Sequence, residues 1–144
     1  MERIIKEKIS ADHLLYVSLK YTKTCDVILN LLARWKYMIE LAMEFLVEKA
    51  KKERKWKQTA DAPRAKLVQL KKIYADNKDV SEVLGLYELF RDMDGLEKIR
   101  EGEFRKGVNL KVNYKSETIN INLDKLKEYS LILEKFISKI KQVL

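Results

Sequence analysis

Apolar residues recur every three or four positions along most of this chain, and the longest such pattern runs from Ala11 to Trp56. Read at a spacing of about 3.5 residues, it comprises Leu14, Val17, Tyr21, Thr24, Ile28, Leu31, Trp35, Met38, Ala42 and Phe45. Leu32, Ile39 and Leu46 widen the stripe. Residues three and four apart stack on one side of a helix, so the stripe is the core-facing side of an amphipathic helix. No Gly or Pro interrupts it. The segment Thr22-Lys23-Thr24-Cys25-Asp26 mixes weak helix formers with N-cap residues, which leaves two readings open, one rod or two helices meeting there. An unbroken rod of about 45 residues would be roughly 65–70 Å long. A chain of 144 residues cannot cover such a rod unless a second copy packs against it.

The flanking pattern is shorter in period and range. Ile4, Ile5 and Ile9 sit among charges as a short helix or lead-in turn, and Ser10 or Asp12 can cap the helix entering at Ala11. After a loop at 58–62, Pro63 suits the first turn of a helix carrying Leu67, Leu70, Ile73 and Tyr74. Asp79 with Glu82 resembles a capping box ahead of Val80, Val83, Leu84, Tyr87, Phe90 and Met93, and Gly95 is placed to end that helix in the left-handed conformation. The segment from Leu96 to Gly107 reads as a turn of helix and then a loop. The period then drops to two: Val108, Leu110, Val112 and Tyr114, and again Ile119, Ile121 and Leu123, alternate with polar residues. That is a β-hairpin at about 108–123, with Lys115-Ser116-Glu117 as its turn. Asp124 opens a last helix with Leu126, Tyr129, Leu133, Phe136, Ile140 and Val143 inward, a stripe that matches the opening one and can pair with it or with its copy in a homodimer. The expected fold is mainly α: one domain over 1–144, an antiparallel helical bundle with a small β-hairpin before the C-terminal helix.

Composition removes several function classes. The longest apolar runs are a few residues, short of the roughly 20 that span a bilayer, and no apolar leader follows Met1-Glu2-Arg3. No membrane partner is expected, and the cytoplasm is the default location. Cys25 is the one cysteine and His13 the one histidine, which rules out the usual zinc and iron sites. Cys25 reads as a small buried hydrophobe and His13 as structural or solvated. None of Gly85, Gly95, Gly102 and Gly107 belongs to a phosphate-cradling loop. Neither cofactor, metal nor catalytic residue is expected.

Charge changes the picture more. The window 49–72 holds ten Lys or Arg against Glu53 and Asp61, which accounts for the entire net charge of +8. The remainder is balanced, so the protein is a neutral body with one basic region. Lys51, Lys52, Arg54, Lys55, Lys57 and Arg64 are placed to contact the phosphates of a nucleic acid or another anionic partner, with Trp56 to stack on a base. The bland alternative is a solvated helix end that complements the macrodipole, with Trp56 folded over the bundle. Glu101, Glu103 and Arg105 read as a surface salt-bridge network of small energetic weight.

The order of elements, together with Glu103-Phe104-Arg105-Lys106-Gly107-Val108 after the fourth helix, resembles the HEPN superfamily. The resemblance implies a small helical bundle, usually dimeric, of a kind that accompanies minimal nucleotidyltransferases or acts as an RNase. The family's catalytic pattern is an Arg followed at short spacing by a His. Arg105 is followed by Asn109, Leu110 and Lys111 at that spacing, and no histidine occurs after His13. A non-nucleolytic member is what the resemblance then implies. Two functions follow: a nucleic-acid or anion binder acting through 49–72, or a protein-interaction, antitoxin-like subunit of a nucleotidyltransferase-type system whose charge serves solubility.

Overall fold

The long apolar pattern divides in two. In a computed structural model that describes residues 1–143, with the side chain of Val143 outside the described part, α1 (Glu2–His13) continues through a π-helical stretch (Leu14–Ser18) and a last α turn (Leu19–Tyr21). A second helix, α2, then runs Cys25–Lys52. Thr24 makes the break: its backbone is extended, and its side chain accepts the Val27 N–H at 3.3 Å as an N-cap. With the rod broken, its length no longer calls for a second copy.

The stripe does not keep its phase across the break. Leu15 and Leu19 are buried, whereas Val17 is 41% and Tyr21 78% exposed. Ala11, Leu15 and Leu19 follow one another at four-residue steps, and each such step overshoots an α-helical turn by about 40°. The wider π turn takes up that drift and holds the three residues on one line. α1 starts at Glu2, so Ser10 and Asp12 lie inside it rather than capping it, and Asp12 instead pairs with Lys8 at 2.7 Å.

The remaining helices are α3 (Pro63–Ile73), α4 (Lys78–Asp92), which ends in a 3-10 turn (Met93–Gly95), and α5 (Leu123–Val143). Pro63 opens α3 as expected. Asn77 rather than Asp79 caps α4, accepting the Val80 N–H at 3.2 Å. Asn122 rather than Asp124 serves α5, through the Lys125 N–H at 2.9 Å. Gly95 is not left-handed; of the described glycines only Gly102 has a positive φ. Segment 96–107 holds a strand instead of a helical turn, and the sheet has three strands. β1 (Lys98–Glu101), β2 (Asn109–Tyr114) and β3 (Glu117–Asn122) pair antiparallel in that order. β1 carries almost no apolar signal because three of its four residues are exposed. Its backbone pairing with β2, Lys98 opposite Val112 and Arg100 opposite Leu110, is what makes it a strand. Lys115 and Ser116 both take positive φ, which gives the two-residue turn whose twist suits a hairpin.

α2 is the axis of the bundle. α1 lies antiparallel to it, with Arg3 donating to the Tyr37 hydroxyl at 2.9 Å and Arg34 paired with Glu7 at 3.3 Å. α4 packs beside it, with the Tyr87 hydroxyl donating to Glu40 at 2.8 Å. α5 lies against α4 and β3, and reaches α2 through rings: Tyr129 meets Trp35 and Phe90 edge-on, at 6.4 and 5.7 Å between centroids. The sheet covers the Cys25 end of α2, burying Leu110, Val112 and Ile121.

This packing makes stability sensitive to alkali. Burial, reinforced by the Glu103 carboxylate, pushes the Cys25 thiol up to about 11. Burial also pushes the Tyr129 phenol up to about 12, and burial with the bond to Glu40 pushes Tyr87 up as well. A folded-state value above the unfolded one means stability that is complete below the unfolded pKa and lost as pH rises toward the folded value. Stability should therefore be flat to about pH 8.5, the value of a free thiol. From Cys25 it should then fall by on the order of 2 kcal/mol by pH 10.5. Urea unfolding of the wild type and of Cys25→Ala at pH 8 and 10.5 measures this; an equal loss in both proteins would remove the thiol as its cause.

Candidate nucleic-acid interface

The basic region begins where α2 loses its apolar face. Ala50 is buried, and Lys51 and Lys52 after it are exposed. The helix stops in a Schellman motif: the Arg54 N–H bonds to the Lys51 carbonyl at 3.1 Å and the Lys55 N–H to the Ala50 carbonyl at 2.9 Å. Arg54 occupies the left-handed position of that motif, at φ +60°, where glycine is the usual residue.

The chain then folds back along α2. Trp56 is half-buried and packs against the core. Gln69 of α3 holds the next residue at two points, accepting the Lys57 N–H at 2.6 Å and donating to the Lys57 carbonyl at 2.8 Å. Asp61 pairs with Lys66 at 2.7 Å and lies beside Glu44 and Glu48. This return leaves an open cavity of 680 Å³ with Trp56 as its aromatic wall. The cavity is not cationic, since Glu44, Glu48 and Asp61 face it along with Lys51 and Lys66.

The ten cations divide into two groups. Lys49 and Lys55 both pair with Glu53, at 3.5 and 3.2 Å, and Lys51 pairs with Glu48 at 3.5 Å. Lys66 pairs with Asp61, and Lys71 with Glu88 of α4. These contacts show in the acids: Lys55 and then Lys49 hold the Glu53 carboxyl below its ordinary range, and Lys66 does the same for Asp61. Lys52, Arg54, Lys57, Arg64 and Lys72 are exposed, and none of them is in an ion pair among the described residues.

Of the residues singled out above, Lys51, Lys52, Arg54, Lys55, Trp56 and Lys57 lie together on the last turn of α2 and the loop after it. Arg64 joins them from the first turn of α3. Gln69, Glu44 and Glu48 also belong to this site, without a sequence signal that marks them. A four-residue Glu44–Glu48 spacing marks a helix face, but nothing in the sequence says that the loop returns along it. Comparison with family models, curated proteins and solved structures finds no match to this chain.

The cluster around Glu103 differs from a surface network. Its carboxylate crosses from the β1–β2 loop to accept the Cys25 N–H at 3.2 Å, adding a second cap to α2. Arg100 extends this junction by pairing with Asp26 at 2.8 Å. Glu101 turns the other way, to Asn109 at 3.0 Å, and Arg105 has no described side-chain contact with either acid. His13 is exposed at the end of α1. Among the described residues no three His, Cys, Asp or Glu side chains group as metal ligands, and no helix is long and apolar enough to cross a membrane.

Proposed function

We propose that this protein binds single-stranded nucleic acid, without catalysis, through the turn and loop after α2. The observation that carries this reading is the set of exposed cations without ion pairs, Lys52, Arg54, Lys57 and Arg64, on the last turn of α2, the loop that holds the half-buried Trp56, and the first turn of α3. Such a set attracts a phosphate backbone, while the indole offers a stacking surface worth about 1–3 kcal/mol per base. The carboxylates of Glu44, Glu48 and Asp61 repel phosphate from the cavity itself and can accept hydrogen bonds from base amino groups. The backbone therefore tracks the outer cations, and a splayed base enters beside Trp56. The two-point hold of Gln69 on Lys57 fixes the loop before the ligand arrives, which lowers the ordering cost of binding.

The test is a titration of intrinsic fluorescence with a single-stranded oligonucleotide at 50 and 200 mM salt. Trp56 is the reporter, and Trp35, buried in the core, is the steady background. Four phosphate contacts on a single strand give a slope of about −2.8 in log K against log salt, so affinity should fall roughly 50-fold across that range. An affinity that ignores salt, or no quenching at the lower salt, would overturn the proposal.

Arg54→Gly separates fold from function. Glycine removes the left-handed cost of a Cβ-bearing residue, roughly 1–2 kcal/mol, but frees the unfolded chain. A net gain in stability of about 0.5–1 kcal/mol is expected. Nucleic-acid affinity should meanwhile fall several-fold through the loss of one phosphate contact. Thermal unfolding and the same titration read both signs on one protein.

A further inference from the structure

We propose that a second binding site, for a small amphipathic anion, lies in the cleft between the π-helical stretch of α1 and the start of α5. Its ligand would be an apolar or aryl body carrying a phosphate or a carboxylate. The cleft has a volume of 250 Å³, and Leu15, Leu19 and Leu123 form its apolar lining. Tyr16 stands at its side, 52% exposed. The charged residues that line it are Lys20, Lys23 and Lys127, with no Asp or Glu among them. Asp124, the acid next to Leu123, lines the neighbouring cleft instead.

Three features distinguish this cleft from an ordinary lysine-bearing surface. None of its three lysines is in an ion pair among the described residues, in a protein where most charged clusters are internally neutralised. Lys23 donates to the Lys20 carbonyl at 2.6 Å and Lys20 sits 5.9 Å from the Tyr21 ring centroid, so two of the ammonium groups are held locally by uncharged partners. Leu123 is the first residue of the 21-residue α5, so the cleft lies at the positive end of a long helix dipole. The π stretch is what shapes its wall, since it keeps Leu15 and Leu19 inward while Tyr16 stays out; π turns inside α-helices are frequently found at functional sites.

The combination selects its ligand by chemistry. An apolar floor rewards a hydrocarbon or ring, and an all-cationic rim rewards one anionic head and penalises a cationic one. The volume lies below the ~300–1,000 Å³ of drug-sized sites, which points to a short acyl chain or a single aryl ring. The site is separate from the basic loop: the 28 residues of α2 run from Cys25, two residues past Lys23 of this cleft, to Lys52. At 1.5 Å per residue that is about 40 Å. This inference therefore stands whether or not the loop binds nucleic acid.

The experiment is an amide-resolved NMR titration of the full chain with octyl phosphate, octanoate, octylammonium and inorganic phosphate. Both amphiphilic anions should give saturable shifts confined to residues 15–23 and 123–127. Octylammonium and inorganic phosphate should bind at least 10-fold more weakly. The double variant Lys20→Glu/Lys127→Glu changes two exposed side chains, and should lose octyl phosphate by more than 10-fold while gaining octylammonium; that gain shows that the cleft is still folded. Equal binding of the cationic amphiphile, or shifts spread over other apolar surfaces, would overturn the proposal. So would association with anionic vesicles but not with soluble octyl phosphate, which would put a bilayer on this face.

Discussion

Replacing Trp35 by alanine should lower stability by about 3–5 kcal/mol, the range for emptying a buried aromatic site. Trp35 is where three helices are joined by ring contacts. Its indole stacks on Phe90 of α4 at 6.0 Å between centroids and meets Tyr129 of α5 edge-on, while Phe90 and Tyr129 also touch. The contacts close a triangle across α2, α4 and α5, so no neighbour can move into the space without breaking a second pair. Aromatic pairs add about 0.5–1.5 kcal/mol each beyond the area they bury. Against a total stability of about 5–15 kcal/mol for a domain, the loss is a large fraction. Urea unfolding followed by circular dichroism would measure it. Phe90→Leu, which keeps most of the volume, should cost much less, and the Trp35→Ala/Phe90→Leu double variant should be less destabilised than the sum because the two share one contact. A cost below about 1.5 kcal/mol for Trp35→Ala would mean that this junction is not what holds the three helices.

The residues that form the triangle all lie on stripes that are visible in the sequence, and the reason is local. Ile28 to Ala42 on α2 and Val80 to Met93 on α4 keep helical spacing without interruption, so period alone places their inner faces. Legibility ends where backbone geometry departs from the standard period. Val17 and Tyr21 fit a 3.5-residue count yet point outward, because a π stretch, which no propensity marks, shifts the face by the time the chain reaches Thr22. β1 was unreadable for a different reason: Lys98-Ile99-Arg100-Glu101 has no apolar alternation and is a strand only because β2 offers it a partner. In the basic region the concentration of charge was plain, but the division of its cations was not. Lys51 meets Glu48 one turn back on its own helix, at a spacing the sequence shows, but Lys66 comes under the charges of Glu44 and Glu48 of α2, and Lys71 meets Glu88 of α4, through a loop return and a helix packing that have no sequence signature.

That division sets the other large expected effect. Changing Lys52, Arg54, Lys57 and Arg64 together to Glu should abolish single-strand binding, whereas reversing the paired Lys51, Lys55 and Lys66 should weaken it much less per charge. Each reversal removes two units of charge, so the four take the chain from +8 to neutral. With all four contacts gone, any residual binding should lose the slope of about −2.8 that they give. The fold should tolerate the change. All four side chains are exposed, and the ion pairs of the region do not use them. Arg54→Glu exchanges one Cβ-bearing residue for another at the same left-handed position. Lys52→Glu places an anion at a helix C-terminus, which costs about 0.3–1 kcal/mol, and is the one change with a clear structural cost. Glu53 and its two lysine partners remain to hold the turn. A companion variant with Gln at the same four positions leaves a net charge of +4 and no new repulsion, so it should bind weakly instead of not at all. If both variants bind like the wild type while unfolding at the same temperature, phosphate recognition does not lie at this end of α2. If the Gln variant alone retains full affinity, the four cations make no phosphate contacts, and the Glu variant loses binding only through repulsion by its new carboxylates.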